Sequence, residues 1–188
     1  MTKKTHFRLI VILGSLAALG PFSIDMYLPG FAAIGKDLHS STAEVTLTLS
    51  SFFIGISAGQ LLYGPLLDRY GRKKPLYIGL LFYFLASLGC AIALSINALI
   101  ILRFIQAIGS CAAAVAATTL VRDLFPVKDN AKVFSLLMLV IGVSPMIAPT
   151  LGGYVTDAYG WQSVFVILAF LSAGILIAVI FGLPEGQQ

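Results

Sequence analysis

The sequence predicts an all-α membrane protein with six transmembrane helices, arranged as two inverted three-helix repeats. Its mean hydropathy is +0.97 and only 11% of its 188 residues are charged, whereas soluble domains carry about 25%. Six apolar stretches are each long enough to cross a hydrocarbon layer roughly 30 Å thick as a helix. Two similar segments, centred on Asp68 and Asp157, lie three predicted helices apart.

The six predicted helices form one bundle over residues 1–188. Short connections separate them, and Ser41 followed by Glu44 predicts a capping box at the start of helix 2. Pro126 interrupts the chain between helices 4 and 5. A cleaved signal peptide is the alternative for the first stretch, but Pro21 and Asp25 lie inside it and no small-residue cleavage site follows. The predicted ranges are 8–33, 43–67, 75–95, 97–122, 131–156 and 161–183.

Lysine and arginine residues are concentrated on one side of the predicted bundle. If the N-terminus is cytosolic, the outer segments contain only Lys36 and the inner segments contain all other cations except Arg103. This bias predicts that both termini are cytosolic. Because the cations belong to helix ends, the net charge of +4 does not indicate a nucleic-acid partner. The two cysteines, Cys90 and Cys111, are expected to be packing residues, and no metal or cofactor is expected.

The internal repeat pairs residues 64–71, which read GPLLDRYG, with residues 153–160, which read GYVTDAYG. Because three helices is an odd number, the two copies are expected on opposite sides of the membrane. Inverted three-helix units are typical of secondary transporters. Chance similarity between two turns is the alternative.

Two charged residues fall inside predicted helices, Asp25 in helix 1 and Arg103 in helix 4. Intramembrane charges are costly and usually functional. A rise of about 1.5 Å per residue places Asp25 about 25 Å and Arg103 about 28 Å from the inner side. We therefore expect both to line one cavity, together with Tyr27 and Gln106. The carboxyl would exchange protons or bind a cationic substrate, or the pair would only lock helices 1 and 4 together.

Glycine and proline positions predict close packing in helix 2 and a bend in helix 5. Gly55 and Gly59 permit close approach of another helix. Prolines remove backbone donors, so a bend is expected either as part of a two-state mechanism or as a simple packing kink. The helix 5 residues concerned are Pro145, Pro149, Gly152 and Gly153.

These motifs together resemble the major facilitator superfamily, and within it the drug:proton antiporters of the Bcr/CflA type. Residues 25–29 resemble the helix 1 signature of that subfamily, and residues 64–74 are similar to the inner loop of the superfamily. Residues 103–109 resemble its helix 4 motif. Residues 148–153 resemble the helix 5 antiporter motif, with Ala148 in place of the first glycine.

The resemblance implies one half of a major facilitator fold, in a bacterial inner-membrane exporter that exchanges lipophilic drugs or metabolites for protons. Arg103 would tune the proton site in the cavity, and Asp25 would be a candidate carboxylate for the proton or for the substrate. The helix 5 prolines and glycines would set a bend. An inner gate loop would latch onto a helix of the other half, and its residues would be Gly64, Asp68, Arg69, Gly71, Arg72 and Lys73.

Transporters of this family have twelve helices, and six are predicted here. The expected partners are therefore the lipid bilayer, protons, a small lipophilic substrate, and a missing C-terminal half or a second copy of the chain. A non-transporting membrane interaction protein or an inactive transporter fragment is the alternative. An intramembrane protease needs a histidine base beside its serine. Since His6 and His39 lie outside the helix interiors, no enzymatic activity is expected.

Overall fold

The computed structural model describes residues 3–183, and their regular structure is entirely helical. Six segments of this described part are long and apolar enough to span a membrane. The first combines α1, a 3₁₀ turn and α2, and each later helix forms one segment. The elements are α1 (Lys3–Asp25), the 3₁₀ turn (Leu28–Gly30), α2 (Phe31–Asp37), α3 (Thr42–Tyr70), α4 (Lys73–Ala91), α5 (Ile96–Leu124), α6 (Val127–Tyr159) and α7 (Trp161–Gly182).

Helices α3, α5 and α6 extend a few residues beyond the apolar stretches that predicted them, whereas α4 ends at Ala91, four residues before the predicted end at residue 95. The N-terminal boundary of α3 matches its prediction because the capping box is present: Ser41 N–H donates to Glu44 Oε2 at 2.7 Å, and Glu44 N–H donates to Ser41 Oγ at 3.3 Å. At the other end α3 reaches Tyr70, because polar residues at a membrane surface continue a helix that hydropathy no longer marks.

The first membrane-spanning segment is interrupted, which corrects the prediction of one helix over residues 8–33. Helix α1 ends at Asp25. Because Pro29 has no N–H, it cannot donate to the carbonyl of Asp25, four residues earlier. Met26 N–H still donates to the carbonyl of Phe22 at 3.1 Å, and Gly30 N–H donates to that of Tyr27 at 2.9 Å. We refer to residues 26–30 as the helix 1 break.

The helix 1 break packs directly against α6. A Cβ atom built at Gly152 would overlap the backbone carbonyl of Met26, so any larger residue there would displace the break. Beyond the break, the indole N–H of Trp161 donates to Asp37 Oδ2 at 2.9 Å and ties the end of α2 to the start of α7. Contacts from two different helices therefore hold the segment around the break.

Helix α5 lies between α3 and α4, and glycines allow both approaches. A Cβ at Gly55 would lie 2.6 Å from Ala107 Cβ, and one at Gly59 would lie 2.7 Å from Cys111 Cβ. The close approach expected at these two glycines is therefore made to α5. On the other side, a Cβ at Gly109 of α5 would lie 2.5 Å from the carbonyl oxygen of Gly79 in α4.

The internal repeat is visible in the backbone as well as in the sequence. Helix α3 ends at Tyr70 and α6 ends at Tyr159, and each is followed by a glycine with positive φ, 77° at Gly71 and 91° at Gly160. Side chains strongly disfavour this conformation, so glycine is required at both equivalent positions. Because α3 and α6 are three spans apart, the two turns lie at opposite ends of the bundle.

We expect Gly55→Val to destabilise the bundle by about 1–3 kcal/mol, because the added carbons would force α3 away from α5. The midpoint of thermal unfolding in detergent would fall accordingly. Gly174→Val on α7 is the matched control, since a Cβ at Gly174 meets nothing within 4 Å. Equal midpoints for the two variants would contradict the close α3–α5 packing.

Candidate functional site

Arg103 of α5 lies fully buried in the interior of the bundle. Its Nη1 donates to the backbone carbonyl of Ser23 at 3.0 Å and to Gln106 Oε1 at 2.6 Å. Gln106, also fully buried, donates from Nε2 to Ser87 Oγ of α4 at 2.8 Å. One guanidinium therefore connects α5 to the main chain of α1 directly and to α4 through Gln106.

Aromatic rings enclose the rest of the Arg103 guanidinium. Its central carbon is 4.1 Å from the ring centroid of Tyr27 and 4.2 Å from that of Phe52, with Phe165 at 5.7 Å. Its Nε and Nη2 have no hydrogen-bond acceptor within the described chain. Cations are attracted to aromatic faces at these distances, so rings stabilise the buried charge where no carboxylate is present.

The expected pairing of Asp25 with Arg103 is not present. Among residues 3–183, Asp25 has neither an ion pair nor a side-chain hydrogen bond with Arg103, and it is half-buried at the end of α1. The ion pair that would lock helices 1 and 4 together is therefore absent, and the shared cavity stays a prediction. The reason is geometric: the carbonyl of Ser23 receives Arg103, and the chain turns after Asp25 so that the Tyr27 ring enters the interior. Arg103, Gln106 and Tyr27 are brought together, and Asp25 is not joined to them.

Sequence reasoning missed several hydroxyl groups that complete the buried network. The Tyr27 hydroxyl lies 2.7 Å from Thr48 Oγ1 of α3. Ser23 Oγ donates to the carbonyl of Leu19 and is hydrogen-bonded to the Tyr83 hydroxyl of α4. In the sequence, each of these residues is only a single hydroxyl group within an apolar helix. Many serines and threonines without a functional role show the same pattern, so it does not identify the network.

A groove of about 350 Å³ opens between α1, α3, α5 and α6. We call it the open groove. Its lining is mostly apolar and uncharged, and its polar groups come from Gln60, Ser110 and Thr118. Ile24 lines it, whereas the next residue, Asp25, does not. None of Arg103, Gln106 and Tyr27 lines the open groove.

The second cluster is the basic turn, which we define as residues 69–74. Arg72 Nε donates to Asp123 Oδ2 at 2.9 Å, and its Nη1 donates to Asp68 Oδ1 at 3.3 Å. The hydrogen bond to Asp123 raises the pKa of the Arg72 guanidinium above its ordinary value, so the residue stays charged. Lys73 Nζ donates to the backbone carbonyl of Leu183 at 3.0 Å. The turn is therefore attached to the ends of α3, α5 and α7.

The residues expected to form an inner gate fall into two groups. Arg72 and Lys73 are half-buried and donate hydrogen bonds to Asp123, Asp68 and the Leu183 carbonyl, as described for the basic turn. Asp68 points outward with a side chain that is 81% exposed, and Arg69 lies exposed over the Tyr70 ring at 5.4 Å. A Cβ at Gly64 would meet nothing within 4 Å. Asp68 and Arg69 are therefore more accessible than Arg72 and Lys73.

The helix 5 motif lies within an uninterrupted helix. Pro145 and Pro149 are both inside α6, which runs from Val127 to Tyr159. Gly152 packs on the helix 1 break, and a Cβ at Gly153 would lie 3.8 Å from Pro29 Cβ. Ala148, which replaces a motif glycine, is fully buried. The motif thus provides the surface of α6 against which the break rests.

A family profile and several known proteins match this chain over most of its length. The sequence profile of the Major Facilitator Superfamily matches residues 13–188. The uncharacterized MFS-type transporter YdgK of Bacillus subtilis is 40% identical over 98% of this chain. A bicyclomycin resistance protein homolog of Haemophilus influenzae is 37% identical over 99%, and multidrug resistance protein D of Escherichia coli is 30% identical over 98%. The chain spans about half the length of these relatives, from 46% to 47%.

Solved transporter structures share the fold. A D-xylose–proton symporter superposes with a TM-score of 0.84 at 16% identity, covering 96% of this chain and 48% of the symporter. A bacterial homolog of the human lysosomal transporter Spinster, in an inward-facing and unoccupied conformation, gives 0.82 at 16% identity, covering 100% and 45%. At this identity the likeness concerns the fold alone, and the fold is that of one six-helix half.

We expect Gln106→Leu to destabilise the protein by about 1–3 kcal/mol, because it removes an acceptor from buried Arg103 and a donor from Ser87. Gln60→Leu is the matched control: Gln60 is exposed in the open groove. Thermal unfolding in detergent compares the two. If the hydrogen bonds of Gln106 did not stabilise the protein, the two variants would have the same midpoint of thermal unfolding.

Proposed function

Because this chain belongs to the major facilitator superfamily, we propose that it forms one half of a transporter that exports lipophilic drugs or metabolites in exchange for protons. The names of two relatives refer to bicyclomycin resistance and to multidrug resistance, which supports drug efflux. The observation that carries the proposal is the open groove, since it supplies an uncharged binding surface on one face of a membrane-spanning bundle.

The lining of the open groove suits neutral or cationic lipophiles. Apolar side chains would accommodate rings and alkyl groups, while Gln60 and Thr118 would orient a substrate through single hydrogen bonds. No charge in the lining repels a cation, and Asp25 is adjacent in sequence to Ile24, which lines the groove. This chemistry accepts many related molecules, as a multidrug exporter requires.

Asp25 is our candidate for the proton-carrying group. Among the described residues, it is the only carboxyl far from both ends of a membrane-spanning segment. It has no cationic partner there, so protonation changes its charge without first breaking an ion pair. It directly precedes the helix 1 break, which Arg103 contacts through the Tyr27 ring and Gly152 contacts through Met26. A change of charge at Asp25 would therefore act on a segment held by both α5 and α6.

The proposed setting is the bacterial inner membrane, with the basic turn on the cytosolic side. Arg72 and Lys73 contact the ends of α5 and α7, so these ends share one side with the start of α1. We call this side the basic end. Lysine and arginine favour the cytosolic side of short loops, and the outer loops carry only Lys36. Both termini would then be cytosolic.

A second six-helix bundle would complete the transporter, either a C-terminal half or another copy of this chain. Helices α3 and α6 bury the smallest shares of their apolar windows, 28% and 22%, and the internal repeat relates them. In this fold the two halves are related by an axis along the membrane normal. The partner's helix equivalent to α6 would therefore pack on α3 of this chain, and the partner's helix equivalent to α3 would pack on α6.

We expect Asp25→Asn to abolish pH-gradient-driven transport while the protein remains folded, because an amide cannot take up the proton. The measurement is uptake of ethidium into everted membrane vesicles under an imposed pH gradient, using the complete transporter. Asp157→Asn is the matched control, since Asp157 is exposed near the end of α6. Unchanged dependence on the gradient in Asp25→Asn would remove Asp25 from the proton path.

We expect chains carrying Leu61→Cys and Met138→Cys to cross-link as dimers in native membranes if the partner is a second copy. Leu61 of α3 and Met138 of α6 are both exposed and lie about equally far from the basic end. A pair at Leu61 and Leu85 is the control, because exposed Leu85 belongs to α4. If only monomers form while transport persists, the second-copy arrangement is wrong.

A further inference from the structure

Two cations converge on the last turn of α7 at the basic end. Arg8 Nη2 donates to the backbone carbonyl of Gly182 at 3.2 Å, and Lys73 Nζ donates to that of Leu183 at 3.0 Å. The last carbonyls of a helix have no intrahelical donors, and together they carry the negative end of the helix dipole. Positive side chains therefore satisfy this helix end better than neutral donors would. We call these two contacts the α7 clasp.

The end of α7 is packed against α1 in addition to being hydrogen-bonded. A Cβ at Gly182 would overlap Ile12 Cδ1 of α1 and would lie 4.0 Å from Arg8 Nε. Leu183 is buried. Glycine at position 182 thus lets α1 come close enough for Arg8 to reach the carbonyl. Packing and hydrogen bonding act on the same turn.

The α7 clasp is continuous with the contacts of the basic turn. Arg72 binds Asp68 on α3 and Asp123 on α5, and the next residue, Lys73, binds the end of α7. Lys73 is also the first residue of α4. Together with Arg8 from α1, the two adjacent cations connect five of the six membrane-spanning segments at one end.

We propose that Arg8 and Lys73 are positioning residues for transport, which fasten the end of α7 to the basic turn so that the bundle moves as one rigid body. This inference rests on the proposed transport function. Alternating access requires one bundle to rock against the other around a fixed site. If α7, the sixth membrane-spanning segment, could shift independently, the rocking of the bundle would be transmitted only in part to the open groove.

Amide hydrogen exchange tests the α7 clasp directly. In Lys73→Met, amides in residues 176–183 should exchange about tenfold faster, because the helix end loses a charge-assisted hydrogen bond. Arg8→Met should act on the same peptide. Lys74→Met is the matched control, since Lys74 has the same charge and is exposed without a hydrogen bond in the described chain. Lys73→Arg should restore protection, because arginine can donate to the same carbonyl.

Transport kinetics test the positioning role. Lys73→Met should lower the maximal rate of ethidium transport several-fold with little change in KM, because neither clasp residue lines the open groove. Lys73→Arg should recover the rate, and Lys74→Met should match the wild type. Unaltered exchange in Lys73→Met would overturn the α7 clasp. Faster exchange with an unaltered rate would overturn its role in transport.

Failure of the proposed function would look different from failure of this inference. The wild-type protein would then show no pH-driven transport, and Asp25→Asn would have nothing to abolish. The exchange pattern of the Lys73 and Lys74 variants would still report whether the α7 clasp exists. Its role in transport would be overturned in that case, and the clasp would stand as a structural contact only.

Discussion

Arg103 brings a permanent charge into the interior of an apolar bundle, and that charge has to be compensated within the protein. The backbone carbonyl of Ser23, the side-chain amide oxygen of Gln106 and the faces of aromatic rings compensate the charge. The rings belong to the helix 1 break, α3 and α7, while Gln106 extends the network to α4. Five of the six membrane-spanning segments are therefore arranged around one guanidinium, and its requirements limit how each can pack.

The helix 1 break lies directly beside the residues that contact Arg103. Ser23 gives its carbonyl to Arg103, and Pro29 leaves the carbonyl of Asp25 without its usual donor. The chain then turns, and the Met26 carbonyl rests on Gly152 of α6. Asp25 directly precedes the break, half-buried and without an ion pair in the described chain, whereas Arg103 contacts the break through the Tyr27 ring. The buried cation and the unpaired acid are therefore held by different contacts.

Hydropathy and local motifs predicted the six spans, the capping box at Ser41 and the close approach at Gly55, because each depends on residues near in sequence. The ion pair considered for Asp25 and Arg103 is absent. Their similar heights follow from the rise per residue, but the partners of the guanidinium are a backbone carbonyl, a side-chain amide and aromatic rings, which hydropathy does not predict. The partners of Lys73 and Arg8 could not be predicted either, since backbone carbonyls have no sequence signal and these lie more than a hundred residues away.

The two turns at Gly71 and Gly160 have a similar backbone conformation but differ in the charge around them. Both reverse the chain with the same left-handed glycine after a tyrosine, yet only the first is surrounded by arginine and lysine. Backbone geometry at these positions therefore does not distinguish the two sides of a membrane, whereas the cations do. Under the proposed orientation, the same turn would therefore serve on both sides of the membrane, with arginine and lysine present only in the cytosolic copy.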